Sequence, residues 1–253
     1  MATPHWQLQT PINTIIFDCD GTLSHIEGID ELARQNGAGE MVESLTAEAM
    51  GSSGINLELY QKRLDLVRPS QEQVLALGEY YFQQIVPDVN AVIQILKRLN
   101  KTIYLVSAGL YPSIAIFGKL LGISPKNIYA VDIKFNAENH YLDFDHQSPL
   151  VDRLGKRIIV EQLKEQNGEL IYIGDGLNDY AAYDLVTRFI GYGGVFYREN
   201  IAAFCQFYIS TLSMAPLLPL SLTMAEYESL TIEEKKVYRR GLDGIQEGKV
   251  KVC

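Results

Sequence analysis

Three short apolar runs, each closed by a polar, glycine-bearing segment, constrain the fold of this chain more than any other feature. Thr14-Ile-Ile-Phe17 ends at Asp18-Cys-Asp-Gly-Thr22, Ile103-Tyr-Leu-Val106 ends at Ser107-Ala-Gly109, and Leu170-Ile-Tyr-Ile173 ends at Gly174-Asp-Gly176. Runs of this length, rich in β-branched and aromatic residues, read as buried strands, and each is followed by a segment with helical periodicity. Buried strands alternating with helices predict an α/β fold on a doubly wound parallel sheet, with its active site at the carboxyl ends of the strands. The three polar segments are therefore expected to form turns that meet at one edge.

Between the first strand and a helix near Asp88 to Asn100 there is no clear buried strand. Glu27 to Asn36, Glu40 to Met50, Leu57 to Val67 and Ser70 to Ile85 read as helices, punctuated by Gly37, Gly51 to Gly54 and Pro69. Ser70 followed by Gln73 has the form of a capping box. A structureless loop of this length would be unusual in a compact domain, so residues 25–86 are expected to form a small helical cap inserted after the first strand. The catalytic core then comprises residues 1–24 and 87–224. Ile133-Lys-Phe135 and Tyr141-Leu-Asp143 suggest a peripheral hairpin. Residues 225–253 read as a C-terminal helical extension, with a surface helix running to Arg240 and a short tail.

Charge narrows the function. A formal net charge of -9 and a pI near 5.0 argue against nonspecific binding to nucleic acid or to an anionic membrane, since both are polyanions. Cys19, Cys205 and Cys253 show neither a disulfide framework nor zinc-ligand spacing. The opening residues lack a basic region followed by an apolar run, and the apolar stretch from Ala215 to Leu222 contains Pro216 and Pro219 and is too short to span a bilayer. A cytoplasmic protein, acting as a monomer or homodimer, is the expectation.

The chemistry lies in the polar segments. Asp18 and Asp20 stand two positions apart directly after a strand, so in extended chain both face one side. Two such carboxylates repel unless a proton or cation intervenes, and a hard divalent cation suits oxygen ligands. An Asp-Gly turn capping the next helix would use the same letters. Asp175 and Asp179 follow another buried strand, where one can hold a cation and the other a metal-bound water or a neighbour; Asn178 adds an amide without charge. The Ser107 hydroxyl and the amides of Ala108 and Gly109 can donate to phosphate, as can the ammonium of Lys156, but Ser-Ala-Gly by itself reads first as a simple turn or cap and a lone lysine as solvated surface.

Taken together, these four segments resemble the haloacid dehalogenase superfamily: Asp18-Cys-Asp-Gly-Thr22 its first motif, Ser107 its second, Lys156 its third and Gly174-Asp-Gly-Leu-Asn-Asp179 its fourth, in matching order and spacing. Over most of residues 13–210 the resemblance narrows to the phosphoserine phosphatase family. Glu27-Gly-Ile-Asp-Glu-Leu-Ala33, Ala49-Met-Gly51, Gln61-Lys-Arg63 and Glu72-Gln-Val74 are similar to its cap, and Phe189-Ile-Gly-Tyr-Gly-Gly194 to its core. Two positions differ: Ala108 stands where that family often has glycine, and Gly21 where it often has serine.

The resemblance implies a Rossmann-like core and a Mg2+-dependent hydrolysis of a small phosphorylated metabolite, O-phosphoserine foremost. Asp18 would be the nucleophile and Asp20 the general acid and base, with Ser107 and Lys156 stabilising phosphate charge. Asp18, Asp175 and the backbone carbonyl of Asp20 would bind Mg2+, supported by Asp179. Glu27 would face the substrate ammonium and Arg63 its carboxylate, with Met50 and Gly51 shaping the pocket. A phosphatase for another small phosphomonoester, or a non-catalytic sensor of a phosphometabolite, are the alternatives; the sensor would be expected to lack Asp18 or Asp20, and both are present.

Overall fold

The computed structural model describes residues 4–51 and 54–253, leaving aside the side chains of 48–51. The first strand, β1 (Thr14–Phe17), is followed by four helices: α1 (Gly28–Gln35), α2 (Gly39–Gly51), α3 (Leu57–Val67) and α4 (Gln71–Gln83). Then come α5 (Val89–Arg98), β2 (Thr102–Leu110), α6 (Tyr111–Leu120), β3 (Ile128–Val131), and the pair β4 (Ile133–Phe135) and β5 (Tyr141–Phe144). The chain continues through α7 (Gly155–Asn167), β6 (Leu170–Gly174), α8 (Leu177–Tyr180), β7 (Arg188–Tyr192), α9 (Glu199–Phe204) and β8 (Phe207–Ile209). It ends with α10 (Leu217–Ser221), α11 (Met224–Glu228), α12 (Ile232–Gln246) and β9 (Val250–Val252).

The main sheet has the order β3-β2-β1-β6-β7-β8-β9, parallel throughout except for β9 against β8. β1 lies inside it between β2 and β6, with Ile15 opposite Ile103 on one side and Ile171 on the other. Every residue of β1 and of β6 is buried, as expected of central strands covered on both faces. The strand order turns at β1, running to β2 on one side and β6 on the other, and this is where an open α/β sheet forms its crevice. The β4–β5 hairpin is separate from the main sheet and antiparallel, as the sequence suggests.

The four helices after β1 fall where periodicity predicts them. Ser70 and Gln73 do form a reciprocal capping box on α4, and the Asn56 side chain caps α3 by accepting from the Leu59 amide. Two sequence expectations need correction. Ser107-Ala-Gly109 is not a turn after the strand but part of β2, which runs on to Leu110. Pairing with β3 passes from Val106–Tyr129 to Leu110–Val131, so β2 bulges outward over Ser107 to Gly109, and the Gly109 amide donates to Ser107 Oγ at 2.9 Å in that bulge.

The second correction concerns the C-terminus. The stretch after Met224 is two helices with a strand beyond them, and Val237, Tyr238 and Gly241 of α12 are buried. The tail is β9, which adds an antiparallel edge to the sheet. Lys101, wholly buried in its side chain, ties α11 to the sheet by donating to the Ile12 carbonyl at 2.8 Å and to Glu226 at 2.6 Å. A buried ammonium needs such partners. Among the described residues no helix is long and apolar enough to cross a membrane.

Candidate active site

Asp18 is carried by the residue after β1, and its amide donates to the Ile173 carbonyl of β6 at 2.9 Å, so the parallel ladder extends into the first motif. Asp175 follows β6 directly, and Asp179 lies on the short α8. Carboxylate oxygens of Asp18, Asp175 and Asp179 all lie within 4.8 Å of one another, and the three side chains are buried. The turn that delivers Asp20 and closes the motif depends on Gly21, at φ +65, where a Cβ would lie 2.9 Å from Asp175 Oδ2 and 2.9 Å from the Phe196 ring. In this chain a serine there would be both strained and crowded.

Three buried carboxylates repel, and the residues around them show how the charge is met. Lys156, on the first turn of α7, lies 2.6 Å from Asp18 Oδ1 and donates to Asp179 Oδ1 at 2.7 Å. Burial opposes its charge, but Asp179 and Asp18 outweigh burial and hold the ammonium protonated. Asp179 also accepts from the Tyr172 hydroxyl at 2.6 Å and from the Gly176 amide at 3.0 Å. Arg198 donates to Asp175 Oδ2 at 2.9 Å from Nη2. The compensation is incomplete: burial first, then Asp179 and Asp175, push the carboxyl of Asp18 well up despite Lys156. Burial also raises Asp175, against the pull of Arg198.

Asp20 turns away from that cluster. Its Oδ1 accepts from the Gly28 amide at 2.7 Å and from the Tyr81 hydroxyl at 2.5 Å, and its Oδ2 from Ser107 Oγ at 3.2 Å. Cys19 between the two aspartates is fully buried, and burial pushes its thiol well up, so it is an inert thiol beside the reacting groups.

One cavity gathers most of the sequence-derived candidates. Asp18, Asp20, Glu27, Arg63, Ala108, Gly109, Lys156, Asp175, Asn178 and Asp179 all line it. Ser107 is completely buried just behind the wall, with its hydroxyl tied to Asp20. Met50 and Gly51 belong to the end of α2, and their side chains lie outside the described residues. Helices α3 and α4 reach over the cavity: the Tyr60 hydroxyl donates to the Ala108 carbonyl at 3.0 Å and Tyr81 reaches Asp20.

Two residues of the segment between β1 and α5, opposite in charge, line the cavity as well. Glu27 is half-buried, and burial, then Asp20 and Asp175, push its carboxyl well up. Arg63 is 5% exposed, with Nη1 3.5 Å from Thr46 Oγ1 and its guanidinium 5.6 Å from the Tyr60 ring centre, while its Nε is buried with no partner among the described residues. A buried N–H left unmade costs about 1–3 kcal/mol, which an acceptor in the cavity would recover.

Sequence reasoning missed Arg198, Tyr172, Tyr81 and Tyr60. A tyrosine in the middle of the otherwise aliphatic Leu170-Ile-Tyr-Ile173 run was the one local signal, because a buried phenol needs an acceptor.

A parallel sheet with an aspartate after its central strand, a second acidic pair after the neighbouring strand and a lysine bridging the two defines a haloacid dehalogenase-like hydrolase, and the model of that family matches residues 12–183. Within that class the chain belongs to the phosphoserine phosphatase family. It is 31% identical over 200 residues to the phosphoserine phosphatase of Homo sapiens, covering 78% of this chain and 89% of that one. It is 33% identical over 199 residues to that of Drosophila melanogaster, covering 78% and 74%. Among solved structures, a phosphoserine phosphohydrolase-like protein from Francisella tularensis superposes with a TM-score of 0.71 at 26% identity, covering 87% of this chain and all of that one. A substrate-bound phosphoserine phosphatase complex shares the fold, with a TM-score of 0.71 at 21% identity, covering 81% of this chain and 96% of that one. The chain is an enzyme, a phosphoric monoester hydrolase of this kind.

Proposed function

We propose that the protein hydrolyses O-phosphoserine to serine and phosphate in two displacements, with Asp18 as the nucleophile and Mg2+ as its cofactor. The observation that carries the substrate is Arg63: a buried guanidinium whose Nε has no partner among the described residues, in the same cavity as Glu27 and Asp18. Phosphoserine brings one carboxylate, one ammonium and one phosphate, and these three groups answer Arg63, Glu27 and the Asp18 site. The ammonium would also relieve the crowding of negative charge that pushes Glu27 up.

In the first displacement Asp18 attacks phosphorus in line and the ester oxygen leaves with a proton from Asp20, forming an aspartyl-phosphate. In the second, water attacks phosphorus, its proton passes to Asp20, and Asp18 is released. Lys156 holds Asp18 in position and offsets phosphate charge, and Ser107 with the amides of Ala108 and Gly109 would donate to the phosphate oxygens once the Ser107 hydroxyl leaves Asp20 and the Gly109 amide leaves Ser107 Oγ. Asp179, already bound by Lys156, Tyr172 and Gly176, orients Lys156.

Hard oxygen donors clustered within 4.8 Å, with their negative charge only partly offset, suit a small divalent cation. Asp18, Asp175 and the Asp20 carbonyl would hold Mg2+, with Asp179 in support. When bound, the ion neutralises phosphate charge and orients the phosphoryl group for in-line attack.

One observation favours a second reading. Ala108 puts a methyl on the cavity wall, where the family often has glycine, and that suits a different small phosphomonoester. A phosphate-release screen over phosphorylated metabolites, with Mg2+ present and after chelation, separates the two. Phosphoserine should lead the panel, only with Mg2+. Another metabolite ahead of it by an order of magnitude would replace the substrate, and release in a verified metal-free preparation would remove the cofactor.

A further inference from the structure

Asp20 is held unequally. Its Oδ1 accepts two hydrogen bonds, from the Gly28 amide at 2.7 Å and the Tyr81 hydroxyl at 2.5 Å. Among the described residues its Oδ2 meets only Ser107 Oγ, at 3.2 Å. A carboxylate oxygen has two lone pairs in its plane, so on Oδ1 both are taken. Tyr81 has little freedom to let go. It is 1% exposed, its ring stacks on Phe117 at 5.6 Å between centres, and its backbone carbonyl lies 3.0 Å from Ser24 Oγ.

We propose that Tyr81 is a positioning residue for Asp20: together with the Gly28 amide it saturates Oδ1, so that the proton of the reaction travels on Oδ2 alone. The inference rests on the reading of Asp20 as the proton carrier. As the Asp18–phosphorus bond forms and the phosphorus–ester oxygen bond breaks, the ester oxygen leaves with the electron pair and takes the Oδ2 proton. When water then forms its bond to phosphorus and the Asp18–phosphorus bond breaks, a water proton returns to Oδ2. The Tyr81 proton stays on the phenol, because Oδ1 keeps its lone pairs and remains an acceptor whether or not Oδ2 carries the proton. Without Tyr81 the proton can settle on Oδ1, turned away from the leaving group, and the carboxyl can rotate.

Tyr81→Phe removes one oxygen and tests this, with O-phosphoserine and 4-nitrophenyl phosphate as substrates and Mg2+ saturating. A positioned acid–base group supplies roughly 100- to 10,000-fold, so kcat on phosphoserine should fall about 10-fold or more with KM nearly unchanged. Nitrophenolate leaves without a proton. Its first turnover should therefore keep its rate while the hydrolysis of the aspartyl-phosphate slows, giving a burst of nitrophenolate followed by a slower steady phase. Equal losses in the first turnover of both substrates would assign Tyr81 a merely structural role, and wild-type kinetics on both would make it idle; either overturns the proposal. Gly28→Ala is the second route, should Tyr81→Phe fold poorly: a Cβ there would lie 2.0 Å from the Tyr81 hydroxyl and displace it, and the same split between substrates must appear. Asp20→Asn separates the two levels. If it keeps wild-type turnover of phosphoserine, the proton-carrier reading falls and takes the proposal with it; if it is inactive while Tyr81→Phe behaves as wild type, only the proposal falls.

Discussion

In Arg63→Lys the positive charge stays and the planar fork goes. Arg63 projects from α3 into the cavity at 5% exposure, with Nη1 3.5 Å from Thr46 Oγ1 and Nε buried without a partner among the described residues. A carboxylate bound there can take two parallel N–H bonds, whereas an ammonium on a flexible stem presents a point charge. Losing one hydrogen bond to a charged group costs about 1.5–3 kcal/mol. At about 1.4 kcal/mol per factor of ten, kcat/KM for phosphoserine should drop roughly 10- to 150-fold. 4-Nitrophenyl phosphate has no carboxylate, so its kcat/KM should hold. The assay is steady-state phosphate release from both substrates at saturating Mg2+, with thermal unfolding of each variant as a check on the fold. Glu27→Gln should show the same selective loss through the ammonium. Equal losses on the two substrates would mean that these residues serve the fold, and no loss on either would refute phosphoserine recognition while leaving a phosphatase.

Asp18→Asn should release no phosphate while still folding, because an amide oxygen is a poor nucleophile; near-wild-type turnover in the purified variant would sink the nucleophile assignment. After chelation, Mg2+ should restore turnover and Ca2+ should inhibit, since its larger and more flexible shell disturbs in-line geometry. Stability should follow the carboxylates. Asp18 and Glu27 are raised above their ordinary values of 3.8 and 4.5, so their protonated forms favour the folded state. That contribution is present below those values and is lost as pH rises through the higher folded-state values. The metal-free protein should therefore weaken on going from pH 4 toward neutrality, and Mg2+ should raise the unfolding temperature more at pH 7.5 than at pH 5; equal shifts at the two would contradict the linkage. Arg198→Met removes a cation 2.9 Å from Asp175, so the Mg2+ concentration giving half-maximal activity should fall several-fold, and a rise would show that Arg198 supports the metal site instead.

Much of this enzyme is local in its sequence. The central strands β1 and β6 are continuous apolar runs because both their faces are covered, and that burial leaves a signature in four or five consecutive letters. Asp18, Asp20, Asp175 and Asp179 were legible because each follows such a run, and in a parallel sheet strand ends converge. The helices between β1 and α5 carry their own start signals, as Ser70 with Gln73 shows. What tertiary structure alone decided are pairings between distant letters. Ser107 reads as part of a turn because its polarity and Gly109 look like one; the register of β2 against β3 keeps it in the strand and makes a bulge. β9 is three residues, Val250–Val252, with no pattern strong enough to announce a strand, and it exists because the open edge of β8 offers a ladder to pair with. Tyr81 and Asp20 are 61 positions apart, and Arg198 and Asp175 are 23 apart. No local periodicity links such residues. Their partnership comes from burial, which obliges each phenol, guanidinium and carboxylate to find whatever the packed helices bring within reach.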